Sequence, residues 1–224
     1  MQNTMKKVIM ISMLMSIYAG LCAQNRNNDA PINDNNREKE YYTNGNLKAE
    51  GERINGKKQN YWYYYYPNGT ISAFQRYTND LLDGLCKYYD TNGVLERAEN
   101  WKNGVQEDST FHYYPNGEIK KKGIFKNGMY EGVWIHYNEN GTLKQKGTYV
   151  EGVPNGEWEI YNENGVLIQK GQYKDNKEEG LWQFFDDKGR ITYEGYFRNG
   201  EKVGEWYKFS KSGKKKKYDY SKEQ

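Results

Sequence analysis

The sequence predicts an all-β protein, an elongated, twisted antiparallel sheet of stacked β-hairpin repeats. The first observation behind this is a period. A glycine stands at Gly45, Gly69, Gly93, Gly117, Gly141, Gly165, Gly189 and Gly213, every interval being 24 residues. An aromatic residue precedes each by four: Tyr41, Tyr65, Tyr89, Tyr113, Tyr137, Tyr161, Phe185 and Phe209. Fixed spacing over eight copies marks a repeat array. The second observation is composition: 23 Tyr, 7 Phe and 6 Trp accompany 24 Gly, at a mean hydropathy of -1.15. Burial then rests on large rings with a polar edge, which suits a thin sheet better than a thick aliphatic core. The same aromatic content argues against the disorder that low hydropathy alone would suggest. Third, Asn-Gly pairs punctuate the units twice, as at Asn68-Gly69 and Asn140-Gly141, and again at Asn103-Gly104, Asn127-Gly128 and Asn199-Gly200. Asn-Gly favours the type I′ turn of a tight hairpin.

Along the chain, Lys6 and Lys7 precede an apolar stretch of 14 residues, Val8 to Leu21, too short to cross a bilayer as a helix. Residues 1–23 read as a signal peptide cleaved after Ala23, which predicts export to the periplasm, the outer membrane or the medium. Acylation at Cys22 is the alternative, although Leu21 is larger than the residue such processing prefers. Residues 24–40 are polar and asparagine-rich and read as a disordered leader. Residues 41–213 hold the eight repeats, the last truncated. Residues 214–224 form a basic tail, in which Lys214 to Lys217 blunt the final edge because lysine discourages edge-to-edge pairing.

Within a unit the two segments between turns are short, as in Thr142 to Tyr149 and Gly156 to Tyr161. Neither is long enough for a stable helix, and the glycines weaken one further. As strands they put Leu143 and Tyr149 on one face, and likewise Trp158 and Ile160. A lone hairpin is marginal in water, so neighbouring copies must shelter each other's rings. Two further phases matter. Six residues after the first glycine come Gly51, Gly123, Gly147, Gly171 and Gly195, and seventeen after it come Trp62, Trp134, Trp158, Trp182 and Trp206. The second and third copies depart from both, with Gln75 and Glu99 in place of glycine and Cys86 and Thr110 in place of tryptophan. This predicts irregular geometry between about residues 70 and 112.

Several function classes lack their residues. Thirty-three Lys and Arg face 30 Asp and Glu; without Lys6 and Lys7 the count is 31 against 30, a charge of +1 that gives no general attraction for nucleic acid. Cys86 is the one cysteine beyond the signal peptide, so packing rather than disulfides holds the fold. His112 and His136 lie one period apart, or two strands, roughly 9.6 Å, which is wide for two ligands of one metal. Glu178-Glu179 and Asp186-Asp187 fall in turn regions and read as solvated charges, not as a glycosidase pair. There is no Walker-type Gly-Lys-Ser/Thr. The sequence thus predicts no enzyme, no cofactor and no metal. The candidate binding residues are an aromatic ladder of Trp62, Tyr64, Tyr65, Trp134, Trp158, Trp182 and Trp206, whose rings either fill the stack or stay open to a partner or a sugar face. The aromatic tract Tyr61 to Tyr66 must divide between the two faces of its strand.

The unit N-G-x-L-K-x-x-G-x-Y-x-x-G-x-x-x-G-x-W-x-x-Y, clearest from Asn140 to Tyr161, resembles the variant MORN repeat and is similar to bacterial proteins often labelled YwqK-family antitoxins. The resemblance covers about residues 41 to 213. It implies rows of β-hairpins in an elongated antiparallel sheet and a role in contact or scaffolding rather than catalysis. A protein partner is then expected. An envelope glycan is the alternative, because Trp/Tyr/Gly repeats such as Trp62-Tyr63-Tyr64 also resemble those of choline- and glucan-binding wall proteins. Membrane association is expected only through the lysine-rich C-terminus or through lipidation at Cys22.

Overall fold

A computed structural model describes residues 37–223, with side chains to residue 221. The expected signal peptide, Cys22 and all of the expected leader before Arg37 lie outside the described residues. The described chain is all-β: one antiparallel sheet of 17 strands. These are β1 (Arg37–Tyr41), β2 (Leu47–Ile54), β3 (Lys57–Tyr65), β4 (Ile71–Thr78), β5 (Leu81–Leu82), β6 (Gly84–Tyr89), β7 (Leu95–Lys102), β8 (Val105–Tyr113) and β9 (Ile119–Lys126). There follow β10 (Met129–Tyr137), β11 (Leu143–Val150), β12 (Val153–Tyr161), β13 (Leu167–Lys174), β14 (Lys177–Phe185), β15 (Ile191–Arg198), β16 (Glu201–Phe209) and β17 (Lys215–Tyr218). A 3-10 turn, Tyr220–Glu223, comes last. Strands pair in chain order; β4 pairs with both the two-residue β5 and β6. The sheet begins at Arg37, a few residues before the expected first copy. It also draws β17 from the basic tail, where Lys216 pairs with Lys208 and Lys215 with Phe209. Lys215 and Lys217 reach Glu194 and Glu205 at 2.8 Å, so the tail caps β16 as a paired strand.

The two turns of each repeat are different in kind. The second is type I′, with both central residues left-handed: Asn103 and Gly104 have φ of 50° and 80°. Asn79-Asp80 and Asp175-Asn176 take the same shape without glycine, as Asn and Asp can. The first turn departs from the expected I′ form, because only its glycine has positive φ and the preceding asparagine does not. That asparagine is engaged otherwise. Asn68 Oδ1 accepts the Thr70 N–H at 3.0 Å, while Asn68 Nδ2 donates to the Thr91 carbonyl of the next copy at 3.1 Å. Asn116 and Asn140 repeat the bridge to Glu139 and Glu163. Tyr42, Tyr66 and Tyr114 add hydroxyl bonds to Tyr65, Tyr89 and Tyr137 carbonyls at 2.7–2.9 Å. Copies are therefore fastened to each other at their turns as well as along their strands.

A third glycine phase lies inside a strand, as the segment Gly156 to Tyr161 leads one to expect. Gly132, Gly156, Gly180 and Gly204 have φ between 64° and 119° and sit at bulges two residues before the tryptophan. Asn60 and Asp108 fill the same position in the first and third copies with φ of 56° and 69°. The bulge twists the strand locally and re-aims the residues after it. The tryptophan then lies flat against the glycine of the partner strand. At Gly51, Gly123, Gly147, Gly171 and Gly195 a methyl group would fall within the indole of Trp62, Trp134, Trp158, Trp182 and Trp206 respectively. Glycine is required here for the approach of the ring, not for its dihedral freedom.

Residues 70–112 are not irregular in the way the sequence predicts. β4, β6, β7 and β8 continue the sheet with the same cross-strand row: Trp62 pairs with Gln75, Cys86 with Glu99, Glu99 with Thr110 and Thr110 with Gly123. The two exchanges compensate. Where glycine becomes Gln75 or Glu99, the opposing ring shrinks to Cys86 or Thr110, so the space over the strand is filled from the other side. The break in regularity is limited to β5, where Asp83 separates two short strands.

Gly171→Ala is expected to destabilise the chain by about 1–3 kcal/mol, the range for forced overpacking, measured by urea denaturation. Gly171→Gln and Trp182→Cys together should cost less than the sum of the two single changes, with a coupling of about 0.5–3 kcal/mol. Strict additivity in that cycle would show that ring and glycine are not one packing unit.

Candidate functional site

The predicted ladder is present, and most of it is interior. Trp62, Trp134 and Trp182 are 0% exposed and Trp206 is 2% exposed, while Trp158 is half-buried. Rings interlock along the face: Trp134 with Phe125 at 5.1 Å, Tyr149 with Trp158 at 5.5 Å, Trp158 with Tyr173 at 5.1 Å, Tyr173 with Trp182 at 5.2 Å and Phe197 with Trp206 at 5.1 Å. Most pairs meet edge to face, the favourable arrangement for aromatic quadrupoles. The indole N–H of Trp62, Trp134 and Trp206 donates to the carbonyl of Glu52, Ile124 and Tyr196 at 3.0–3.2 Å. Trp62 is roofed by Lys58 and Arg53, whose cationic groups stand 4.4 and 5.1 Å from its ring. The buried indoles form a packing spine whose ring faces are already covered. Tyr64 stays on the Trp62 face, half-buried, and Tyr65 turns to the other side, where its hydroxyl donates to Glu50 at 2.8 Å. The tract divides as expected, with Tyr61 and Tyr63 against Phe74 at 5.0 and 5.3 Å on that other face.

The polar interruption of the spine, in β4 to β8, is the chemically distinct part of this face. Lys58 Nζ donates to Tyr64 Oη at 2.7 Å, Tyr64 and Tyr77 hydroxyls meet at 3.1 Å, and Tyr77 donates to Gln75 Oε1 at 2.7 Å. Because Tyr77 has spent its one proton on Gln75, Tyr64 must be the donor between the two hydroxyls. Gln75 Nε2 then donates to Tyr88 Oη at 3.2 Å. The chain is polarised from the ammonium of Lys58 to the phenol of Tyr88. Burial depresses the Lys58 ammonium, raises the phenol of Tyr64, and pushes Tyr88 up to about 12. Arg97 lies over Tyr88 at 4.0 Å and stands 3.4 Å from Glu99, itself only 5% exposed. Cys86, fully buried among these groups, has its thiol pushed up to about 11 by burial and reads as a small core residue.

Beside the spine runs a second row on the same face. Arg97 pairs with His112, His112 with Lys121 and Lys121 with His136, one from each of β7, β8, β9 and β10. Lys121 Nζ donates to Tyr130 Oη at 3.1 Å. The two histidines are two strands apart with a lysine between them. Among the described residues no group of three or more His, Cys, Asp or Glu could hold a metal. Burial, together with Lys121, Arg97, Lys120 and His136, lowers His112 to about 4; burial with Lys121 and Lys144 lowers His136. The histidine spacing argued against a shared metal and did not point to the basic row. Pairing of Arg97 with His112 was legible only once the register of the third copy was known.

A third feature lies at the type I′ tips. Leu81, Val105, Met129 and Val153, at identical phase in four successive copies, are 48%, 45%, 43% and 41% exposed. Leu81, Val105 and Met129 each lean toward the tip glycine of the following copy, within 3.4, 3.5 and 3.6 Å of the point where a methyl on Gly104, Gly128 and Gly152 would stand. Lys102 and Lys126 flank the row as the partners of Val105 and Met129.

Stability should fall as pH drops from about 6.5 toward 5. In the fold His112 stays neutral down to about 4, whereas the unfolded chain takes up its proton near 6.5. The stabilisation is complete above 6.5 and is lost progressively below it. His112→Phe should flatten the slope of urea stability against pH in that window; an unchanged slope would assign the acid sensitivity elsewhere.

No curated protein matches the sequence. Among solved structures, the chain is similar to one chain of the crystal structure of TcdB2-TccC3-Cdc42, at 12% identity and a TM-score of 0.19, covering 77% of this chain and 13% of that one. It is also similar to a protein of unknown function from Bacteroides fragilis NCTC 9343, at 11% identity and a TM-score of 0.12, covering 82% and 88%. Neither likeness is close enough to carry an argument about shape or role. The family comparison is decisive: the MORN repeat variant matches residues 35–55, 82–103, 110–127, 130–151, 154–175 and 178–199, in step with the hairpins. Matching more than half of the sequence over six units, it establishes that the chain belongs to the MORN repeat variant family.

Proposed function

We propose that this chain is an exported, non-catalytic scaffold that binds a protein partner along its type I′ tips. The observation that carries the reading is the exposed row Leu81, Val105, Met129 and Val153. Successive rungs stand about two strand spacings apart, roughly 9.6 Å. Their side chains are not needed by the spine, and a contiguous apolar strip on a polar surface is a recurrent feature of interaction sites. Lys102 and Lys126 stand beside the strip, and Glu107 and Glu131 accept the tip amides of Asn127 and Glu151, so the rim carries both charges and the matching partner surface is apolar at its centre with a mixed polar rim. Export is supported by the sequence of residues 1–23, and on this reading an antitoxin-type role would consist of partner capture outside the cytoplasm. A second reading, binding of an envelope glycan, is favoured by the half-buried cluster of Tyr61, Tyr63 and Phe74, since sugar faces stack on such rings.

Val105→Glu with Met129→Glu changes only exposed tips and should leave the fold intact. In retention experiments with envelope extract, a protein held by the unaltered chain should be released at least about tenfold more readily by this variant, equivalent to about 1.4 kcal/mol. Retention on purified peptidoglycan that is lost with Tyr63→Ala but not with the tip variant would select the glycan reading instead.

A further inference from the structure

We propose that the row Arg97, His112, Lys121 and His136 is a binding site for an oxyanion group, a phosphate or a carboxylate, laid across β7 to β10. The site is distinct from the apolar tips and does not depend on them. Four adjacent strands each contribute one basic or proton-accepting side chain to one face, in direct register. Neighbouring strands are about 4.8 Å apart, so the four groups span about 14 Å. The side chains are half-buried and still reach solvent, Arg97 being 43% exposed.

The donors are not consumed by the fold. Arg97 Nε is buried and, although 3.4 Å from Glu99 Oε1, is off the line a hydrogen bond needs, so that its N–H has no hydrogen-bond partner among the described residues. Neither imidazole makes a hydrogen bond to another described residue. Of three possible donors on Lys121 Nζ, one is directed to Tyr130. A guanidinium fork, an ammonium and two imidazoles converging on one strip are the donor set that recognises oxyanions. The opposing charge on this face is Glu99, paired with Arg97; Lys120 and Lys144 add to the positive field felt by the histidines. With neutral imidazoles the row and Glu99 sum to +1, and protonation of both histidines raises that to +3.

Coupling between anion and proton follows. Burial first, and then Lys121 beside both imidazoles with Arg97 beside His112, hold them neutral; an oxyanion among these groups opposes the local positive field and favours the imidazolium, which in turn donates to it. Binding should therefore tighten on acidification, and bound anion should raise both histidine titration midpoints.

The chain has two histidines, so their imidazole proton resonances can be followed without ambiguity. The titration is run on the full mature chain in sodium chloride, in inorganic phosphate and in glucuronate, all at one ionic strength so that screening is held constant. Phosphate or glucuronate is expected to raise both midpoints by at least about half a pH unit over chloride, which corresponds to about threefold tighter binding by the protonated form. A response to phosphate alone or to glucuronate alone supports the site and identifies the group it takes. Lys121→Met, which keeps the aliphatic stem, should abolish the response. Lys208→Met, in the same row but at the far end of the sheet between Tyr193 and Lys216, should retain it. Midpoints equal in all three salts, or a response that survives Lys121→Met in a chain whose circular dichroism is unchanged, would overturn the proposal.

Discussion

The structure depends on a ring lying flat on a bare stretch of backbone. Five tryptophans cover five glycines of the opposing strand, and no side chain larger than hydrogen fits beneath them. A single sheet has no second layer to hide its apolar face. The indoles meet that problem within the layer: each shields a strand with its plane, and Trp158 and Trp182 also meet Tyr173 and Phe197 of the next copy edge to face. The bulge two residues upstream is part of the same device, because it turns the indole onto the glycine. Where one partner changes, the other changes with it, as Gln75 with Cys86 and Glu99 with Thr110 demonstrate.

Around this contact the rest is arranged as a one-dimensional array. Strand ladders join each copy to the next, asparagine and tyrosine side chains fasten successive turns, and tip amides reach carbonyls of the preceding hairpin, as Gly104 does to Leu82 at 2.8 Å. Each copy contacts chiefly its neighbours, so a local substitution can be absorbed without disturbing distant copies. This is the freedom that lets the middle of the sheet carry different chemistry from its ends.

That freedom is used in one region. The hydrogen-bonded chain from Lys58 to Tyr88, the buried Glu99 with Arg97, the histidine–lysine row and most of the exposed tip residues all belong to β3 through β10. In the later copies the tip position is Lys177 or Glu201 and the spine is uninterrupted from Trp134 to Trp206. A repeat array departs from its own consensus at a cost in packing, and the places where local rules are broken are the natural places to look for recognition. The C-terminal copies then serve as the regular, charge-balanced continuation of the sheet.

The sequence by itself determined the period, the all-β class, the hairpin as the repeating unit and the division of the Tyr61 to Tyr66 tract, because glycine and aromatic phases record strand alternation and turn positions directly. It also contained the compensating pairs, but as an apparent loss of pattern, since residues 11 apart have no visible relation until strands are paired. Only the tertiary structure decided which glycines are turns, which are bulges and which lie under a ring, for these three roles share one letter. It also decided that four of the candidate ladder tryptophans are interior, and that Arg97, His112, Lys121 and His136 form a row. Arg97 and Lys121 are one 24-residue period apart, as are His112 and His136, but the period alone does not say which phases face each other; register across four strands is what brings them side by side, and register is set by the bulges and turns of every copy in between.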